Sequence, residues 1–176
     1  MNYATIKTHD VANGPGVRVS LFVSGCRHHC KGCFNSETWD FGYGEAYNEA
    51  VTEKIIKALA PDYIKGFSLL GGEPFEPENQ RVLCSVLERI RLAYPDKTIW
   101  CYSGYDFERN ILTGQLGDWN LTQRMLNCID ILVDGEFVEA LKDPSLRFRG
   151  SSNQRIIDVR KSMQTDELIL WDGAQW

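Results

Sequence analysis

Three thiols fall within eight residues in Cys26-Arg-His-His-Cys30-Lys-Gly-Cys33. A loop so dense in soft ligands is built to hold a metal, because thiolates suit zinc, copper(I) and iron–sulfur clusters. A closed zinc site or an all-cysteine cluster needs a fourth ligand, and no fourth cysteine lies nearby in sequence. Two chemistries stay open. With zinc, His9, His28 or His29 completes the tetrahedron, although the two loop histidines sit between cysteines and strain a compact site. With a [4Fe-4S] cluster, three cysteines hold three irons, and the fourth iron keeps the open position that a catalytic metal needs. The first reading makes the chain a non-catalytic zinc-binding module; the second makes it an enzyme.

The cysteine loop, residues 24–35, begins where an alternating run stops. In Val17-Arg-Val-Ser-Leu-Phe-Val23 every odd position is apolar, the period of a strand with one buried face. Residues 3–9 read as a short strand before it, with the turn-forming Asn13-Gly-Pro-Gly16 between them. Further strands are predicted at 67–70, 98–102 and 129–133. They end in Gly71-Gly72, Ser103-Gly104 and Asp134-Gly135. Asn48 is placed to cap a helix reaching about residue 60, and a second helix runs from Pro77 to about Ala93, with Pro95 beyond its end. Helical segments near 106–113 and 119–128, a short helix at 136–141 and a weaker strand at 155–159 complete the pattern. The tail, about 160–176, carries no signal.

Strand and helix alternate, which predicts an α/β fold of parallel strands with covering helices. In such folds ligands gather at the carboxyl ends of the strands, where each landmark above falls. A complete eight-unit barrel takes ~250 residues, so 176 residues predict an open, partial parallel β/α barrel in a single domain, 1–176. Few residues are left over for a lid.

Charged residues make up 24% of the chain and the net charge is −5, so it lacks the basic surface that nonspecific nucleic-acid binding requires. No apolar run approaches a membrane span and no signal segment leads the chain, so no membrane is expected and the location is cytoplasmic. Reduced thiols are the expectation there. Cys84, Cys101 and Cys128 read as small buried apolar residues.

The cysteine spacing with Gly71-Gly-Glu-Pro74 resembles the radical S-adenosylmethionine superfamily. Several further segments narrow the resemblance: Asn13-Gly-Pro-Gly16, Trp100-Cys-Tyr-Ser-Gly-Tyr105, Val133-Asp-Gly-Glu-Phe137, Asp143-Pro-Ser-Leu and Arg149-Gly-Ser-Ser-Asn-Gln154. Together they resemble the glycyl-radical-enzyme activases that serve anaerobic ribonucleoside-triphosphate reductases, over about residues 3–158.

This resemblance implies the partial barrel of the radical S-adenosylmethionine type and one [4Fe-4S] cluster on Cys26, Cys30 and Cys33. S-adenosylmethionine binds the open iron, and one-electron cleavage leads to a glycyl radical on the reductase large subunit. An electron donor such as a flavodoxin is implied. The resemblance assigns the amino group of S-adenosylmethionine to Gly71, Gly72, Glu73 and Pro74, the glycines allowing close backbone approach. It assigns the adenine to Gly32, Cys33 and Phe34; many relatives have an aromatic residue at the Gly32 position, and this chain has none there. Ser103 and Asp134 are candidates for the ribose or methionine moiety, with turn formation the alternative. The segment 149–155 is expected to grip either the cofactor or the partner. An activase for another glycyl radical enzyme is the nearest alternative activity.

Overall fold

The computed structural model describes residues 1–173. The strands are β1 (Asn2–Asp10), β2 (Val17–Val23), β3 (Glu45–Ala46), β4 (Ile64–Gly71), β5 (Thr98–Tyr102), β6 (Ile131–Asp134) and β7 (Arg155–Asp158). The helices are α1 (Glu49–Leu59), α2 (Pro77–Ala93), α3 (Trp119–Cys128) and α4 (Val159–Thr165). All seven strands form one sheet in the order β3-β1-β2-β4-β5-β6-β7. The central four, β2-β4-β5-β6, run parallel, as the alternation predicts. The flanks depart from it, because β1, β3 and β7 are antiparallel to their neighbours. An α/β sheet is thus present, with a parallel centre and antiparallel margins.

Register sorts the sheet into two faces. Ile6, Leu21, Leu69, Cys101, Leu132 and Ile157 pair across it in one row and join the main apolar core beneath the helices. α1 contributes Val51, Ile55 and Leu59, at the four-residue recurrence expected of one apolar face. Its start is fixed by Asn48, whose side chain accepts from Val51 N at 3.2 Å. α2 contributes Leu83, Leu87 and Ile90, and its first helical residue is Pro77, where the missing N–H costs nothing.

The opposite face was expected to meet solvent, since the even positions of β2 include Arg18 and Ser20. Both are fully buried. Arg18 donates to Ser68 Oγ (2.7 Å), Thr98 Oγ1 (2.9 Å), Phe67 O (2.8 Å) and Thr98 O (2.9 Å). Burial lowers its pKa to about 10. A second, smaller apolar cluster lies on the same face, where Phe148 and Trp171 pack on Trp100. The tail is therefore ordered where the sequence carried no pattern: α4 turns at Asp166 into a segment that pairs Leu170 with Ile157. Residues 174–176 of that expectation lie outside the described residues. No helix in the described chain is long and apolar enough to cross a membrane.

Candidate functional site

The cysteine loop leaves the end of β2 and is fastened by main-chain hydrogen bonds on both sides. Gly25 N donates to Thr38 O (2.8 Å) and Cys26 N to Trp39 O (3.1 Å). From the end of β4, Glu73 N donates to Gly25 O (2.7 Å). Asn79, at the start of α2 and fully buried, donates to both Ser24 O (3.0 Å) and Glu73 O (2.9 Å). Gly25 has a φ of +98°, and a Cβ there would lie 2.3 Å from the Phe41 ring, so only glycine allows the turn.

Each thiol meets main-chain donors. Asn35 N donates to Cys33 Sγ at 3.4 Å, and the N–H groups of His28 and His29 are turned toward Cys26 and that of Phe137 toward Cys30. Burial nevertheless pushes the Cys26 thiol up to about 12 and raises Cys30. Bound iron displaces those protons, and N–H donors then offset the thiolate charge. The two nearby cations do not serve this end. Arg27 is paired with Glu76 and Glu78, and Lys31 reaches Glu139 at 3.1 Å.

The donor set therefore fits a three-cysteine cluster. It is more widely spaced than one zinc ion needs. One zinc ion holds sulfur and nitrogen about 3–4 Å apart, and among the described residues the three cysteines belong to no ligand group closed within 4.8 Å. The histidines proposed for the fourth position are engaged elsewhere. His9 bonds Tyr63 Oη at 3.0 Å, His29 stacks on Trp39 with centroids 4.7 Å apart, and His28 lies between two carboxylates.

A cavity of about 580 Å³ opens beside the loop at the carboxyl ends of the parallel strands. Cys26, Cys30, Cys33, Phe34, Gly71, Gly72, Glu73 and Ser103 line it. Gly32, Pro74 and Asp134 do not. Gly32 has a φ of +74°, and a Cβ there would lie 2.9 Å from Glu139 Oε1; Pro74 is buried behind the turn. Asp134 faces a second chamber, where its carboxylate accepts from Phe107 N (2.9 Å) and from Arg155 Nε (3.0 Å) and Nη2 (2.5 Å). That carboxylate holds the strand end together and has no aspect toward the first cavity.

The side chain of Glu73 is likewise occupied. Oε1 accepts from Phe75 N (2.8 Å) and Ser103 Oγ (2.9 Å), and Oε2 accepts from Gly104 N (2.7 Å). At Gly71, with φ +110°, a Cβ would lie 2.6 Å from Val23 N and O; at Gly72 it would lie 2.5 Å from Gly25 O. Both glycines are thus required by the neighbouring main chain, before any ligand is considered.

Residues 137–154 form a strap in which the short helix expected at 136–141 shrinks to a single turn, Glu139–Leu141, while the 149–155 segment does reach the cavity through Arg149 and Gln154. Phe137, Lys142, Phe148, Arg149 and Gln154 from it line the cavity, so the rim is partly covered where an uncovered rim was expected. The strap is clipped to the cysteine loop by Phe34 and Phe137, whose rings lie 5.1 Å apart, with Lys142 Nζ 4.8 Å from the Phe34 centroid. Within the 149–155 segment, Gln154 Oε1 accepts from Gly150 N, and Arg149 donates to Gln154 O. Much of its polarity serves its own turn. Sequence reasoning also passed over Tyr102, which lines the cavity with a buried hydroxyl that has no partner among the described residues. Its even position in β5 was the available signal.

Known proteins resemble this chain over most of its length. A family described as a 4Fe-4S single cluster domain matches residues 12–157. The anaerobic ribonucleoside-triphosphate reductase-activating protein of Escherichia coli K12 is 42% identical over 163 residues, covering 91% of this chain and all of that protein. The protein of the same name from Vibrio cholerae is 43% identical over 158 residues, 89% of this chain and 97% of the relative. The one from enterobacteria phage T4 is 36% identical over 157 residues, 89% and 93%. With its thiol loop, its main-chain donors and this likeness over nearly its whole length, the chain belongs to the family of anaerobic ribonucleoside-triphosphate reductase-activating proteins, with a 4Fe-4S single cluster domain.

Proposed function

We propose that this chain is a radical S-adenosylmethionine activase, an oxidoreductase that generates a glycyl radical on an anaerobic ribonucleoside-triphosphate reductase. The observation that carries the reading is the placement of three thiols, each with a main-chain donor, at the mouth of a ligand-sized cavity bounded by Gly71-Gly72. Its volume falls within the ~300–1,000 Å³ of small-molecule sites. Cys26, Cys30 and Cys33 hold a [4Fe-4S] cluster in this reading, and the open sheet acts as a partial barrel in one domain. When bound, the cluster and S-adenosylmethionine supply the one-electron chemistry that removes a hydrogen atom from a glycine of the reductase.

The chain's own residues bind, orient and exclude water. Main-chain groups of Gly71, Gly72 and Glu73, with Ser103, meet the methionine end. Phe34 and the backbone at Cys33 meet the adenine, and the strap shields the space from solvent. The partner's glycine-bearing segment closes what the strap leaves open, and glycine suits the task because no side chain obstructs its Cα. A reductant such as a flavodoxin, in the cytoplasm, completes the cycle.

The test is an anaerobic incubation with S-adenosylmethionine, a strong reductant and the reductase. Formation of 5′-deoxyadenosine and a glycyl doublet in the paramagnetic resonance spectrum is expected. The doublet should disappear when the reductase's radical-site glycine is replaced by alanine. In Cys30→Ala both signals and the iron should be lost; a colourless protein with full zinc occupancy would overturn the reading.

A further inference from the structure

The ring of His28, between two of the loop cysteines, meets the ends of three other strands. Its Nδ1 lies 2.8 Å from Glu136 Oε1, just beyond β6, and its Nε2 lies 3.4 Å from Glu73 Oε2, just beyond β4. Gly104, just beyond β5, donates its N–H to the same Glu73 oxygen. A Cβ on Gly104 would lie 2.6 Å from His28 Cδ2, so the residue that holds the carboxylate must be glycine for the ring to fit. On the ring's other side Tyr105 packs edge-on with centroids 4.4 Å apart. His28, Gly104 and Gly135 line both the main cavity and the second chamber of about 620 Å³. The ring is the wall between the two.

From this geometry we infer that Glu73 and His28 form one positioning unit: the Glu73 carboxylate braces the cysteine loop through the His28 ring, and it is not a contact for the ligand's ammonium group. Glu73 is 1% exposed and both its oxygens are occupied by protein donors. Three of its four lone-pair directions are taken by protein donors and the fourth faces His28 Nε2, so a ligand ammonium would have to displace one of these contacts to reach it. Glu136 holds the far side of the ring, so the loop, β4, β5 and the start of the strap keep one mutual position. The inference rests on the activase reading for the ligand, and on the packing around His28 alone for the brace.

The test uses iron-replete protein prepared without oxygen, with three readouts: the rate at which a ferrous chelator strips the iron, the resonance spectrum of the reduced cluster before any S-adenosylmethionine is added, and equilibrium binding of S-adenosylmethionine. Partners that orient metal ligands typically matter by about 10–100-fold in metal affinity or activity. His28→Leu, Glu73→Gln and Gly104→Ala are each expected to speed iron loss about tenfold or more and to alter the ligand-free spectrum in the same way. Gly104→Ala removes no charge, so it reaches the ring without touching either partner's chemistry. The double variant His28→Leu/Glu73→Gln should resemble the single variants, because members of one unit are not additive. Glu73→Gln with wild-type iron loss and spectrum but at least tenfold weaker S-adenosylmethionine binding would overturn the inference. So would wild-type iron loss in both His28→Leu and Gly104→Ala. Wild-type protein that retains its iron but binds no S-adenosylmethionine would instead refute the activase reading and leave the brace measurable.

Discussion

Two neighbouring rows of the sheet, one residue apart in register, have opposite characters. Ile6, Leu21, Leu69, Cys101, Leu132 and Ile157 form the first, under the helices; Lys7, Ser20, Ser68, Trp100, Ile131 and Asp158 form the second, on the other face. The first is held by generic apolar packing, where each buried side chain contributes about 1.5–3 kcal/mol. The face of the second row also carries buried polar groups, an arginine that contacts no carboxylate among the described residues, and the buried donors Trp100 Nε1 and Tyr102 Oη, which have no partner among the described residues. A face built only for stability would not carry them, since each unpaired buried donor costs about 1–3 kcal/mol. The difference separates a supporting face from a working one.

Substitutions that treat both faces alike should break that contrast. The largest effect is expected on the supporting face: Phe67→Ala, fully buried, should cost about 3–5 kcal/mol in denaturant unfolding. Next is Arg18→Met, which leaves the carbonyls of Phe67 and Thr98 without their donor. It should cost about 2 kcal/mol, the unpaired-group penalty being partly relieved by no longer burying a charge; a gain in stability would mean that this face tolerates its arginine without needing it.

Cys101→Ala should cost about 1 kcal/mol for the lost sulfur contacts and leave the iron content unchanged, in contrast to Cys30→Ala. Loss of iron in Cys101→Ala would tie the two faces together. The smallest effect is expected at Tyr102→Phe, a gain of about 1 kcal/mol or less in thermal unfolding, because the substitution removes a buried hydroxyl that has no partner among the described residues. Weaker S-adenosylmethionine binding in that variant would sharpen the distinction by showing that the hydroxyl is held for a ligand.

What could be read from sequence was local. Pro77 and Pro95 bracket α2, Asn48 starts α1, and the run 98–102 is strand β5 from end to end. The thiol loop was visible because its ligands lie within eight residues. What could not be read depends on distant chain. Arg18 looks like a solvent-facing residue until Phe148 and Trp171 cover that face. The ring of His28 finds Glu136 across 108 residues, and no spacing rule connects them. Asp134 was placed at the right strand end but its side chain answers to Arg155, on an antiparallel strand that the alternation did not foresee.

The final segment, which packs Trp171 on Trp100, also guards an edge. Asp158 N donates to Ile169 O (2.9 Å) and Trp171 N to Ile156 O (2.8 Å), so the outer main-chain groups of β7 are already paired. At the opposite margin, β3 covers only Asn2 and Tyr3, and β1 beyond them is broken by register irregularities and carries Lys7. Short partners, bulges and lysines are devices that keep open strand edges from templating other chains. A chain cut after Asp166 would unmask β7 and should self-associate through it. With both margins protected in this way, the sheet is a poor template for strand addition by another protein.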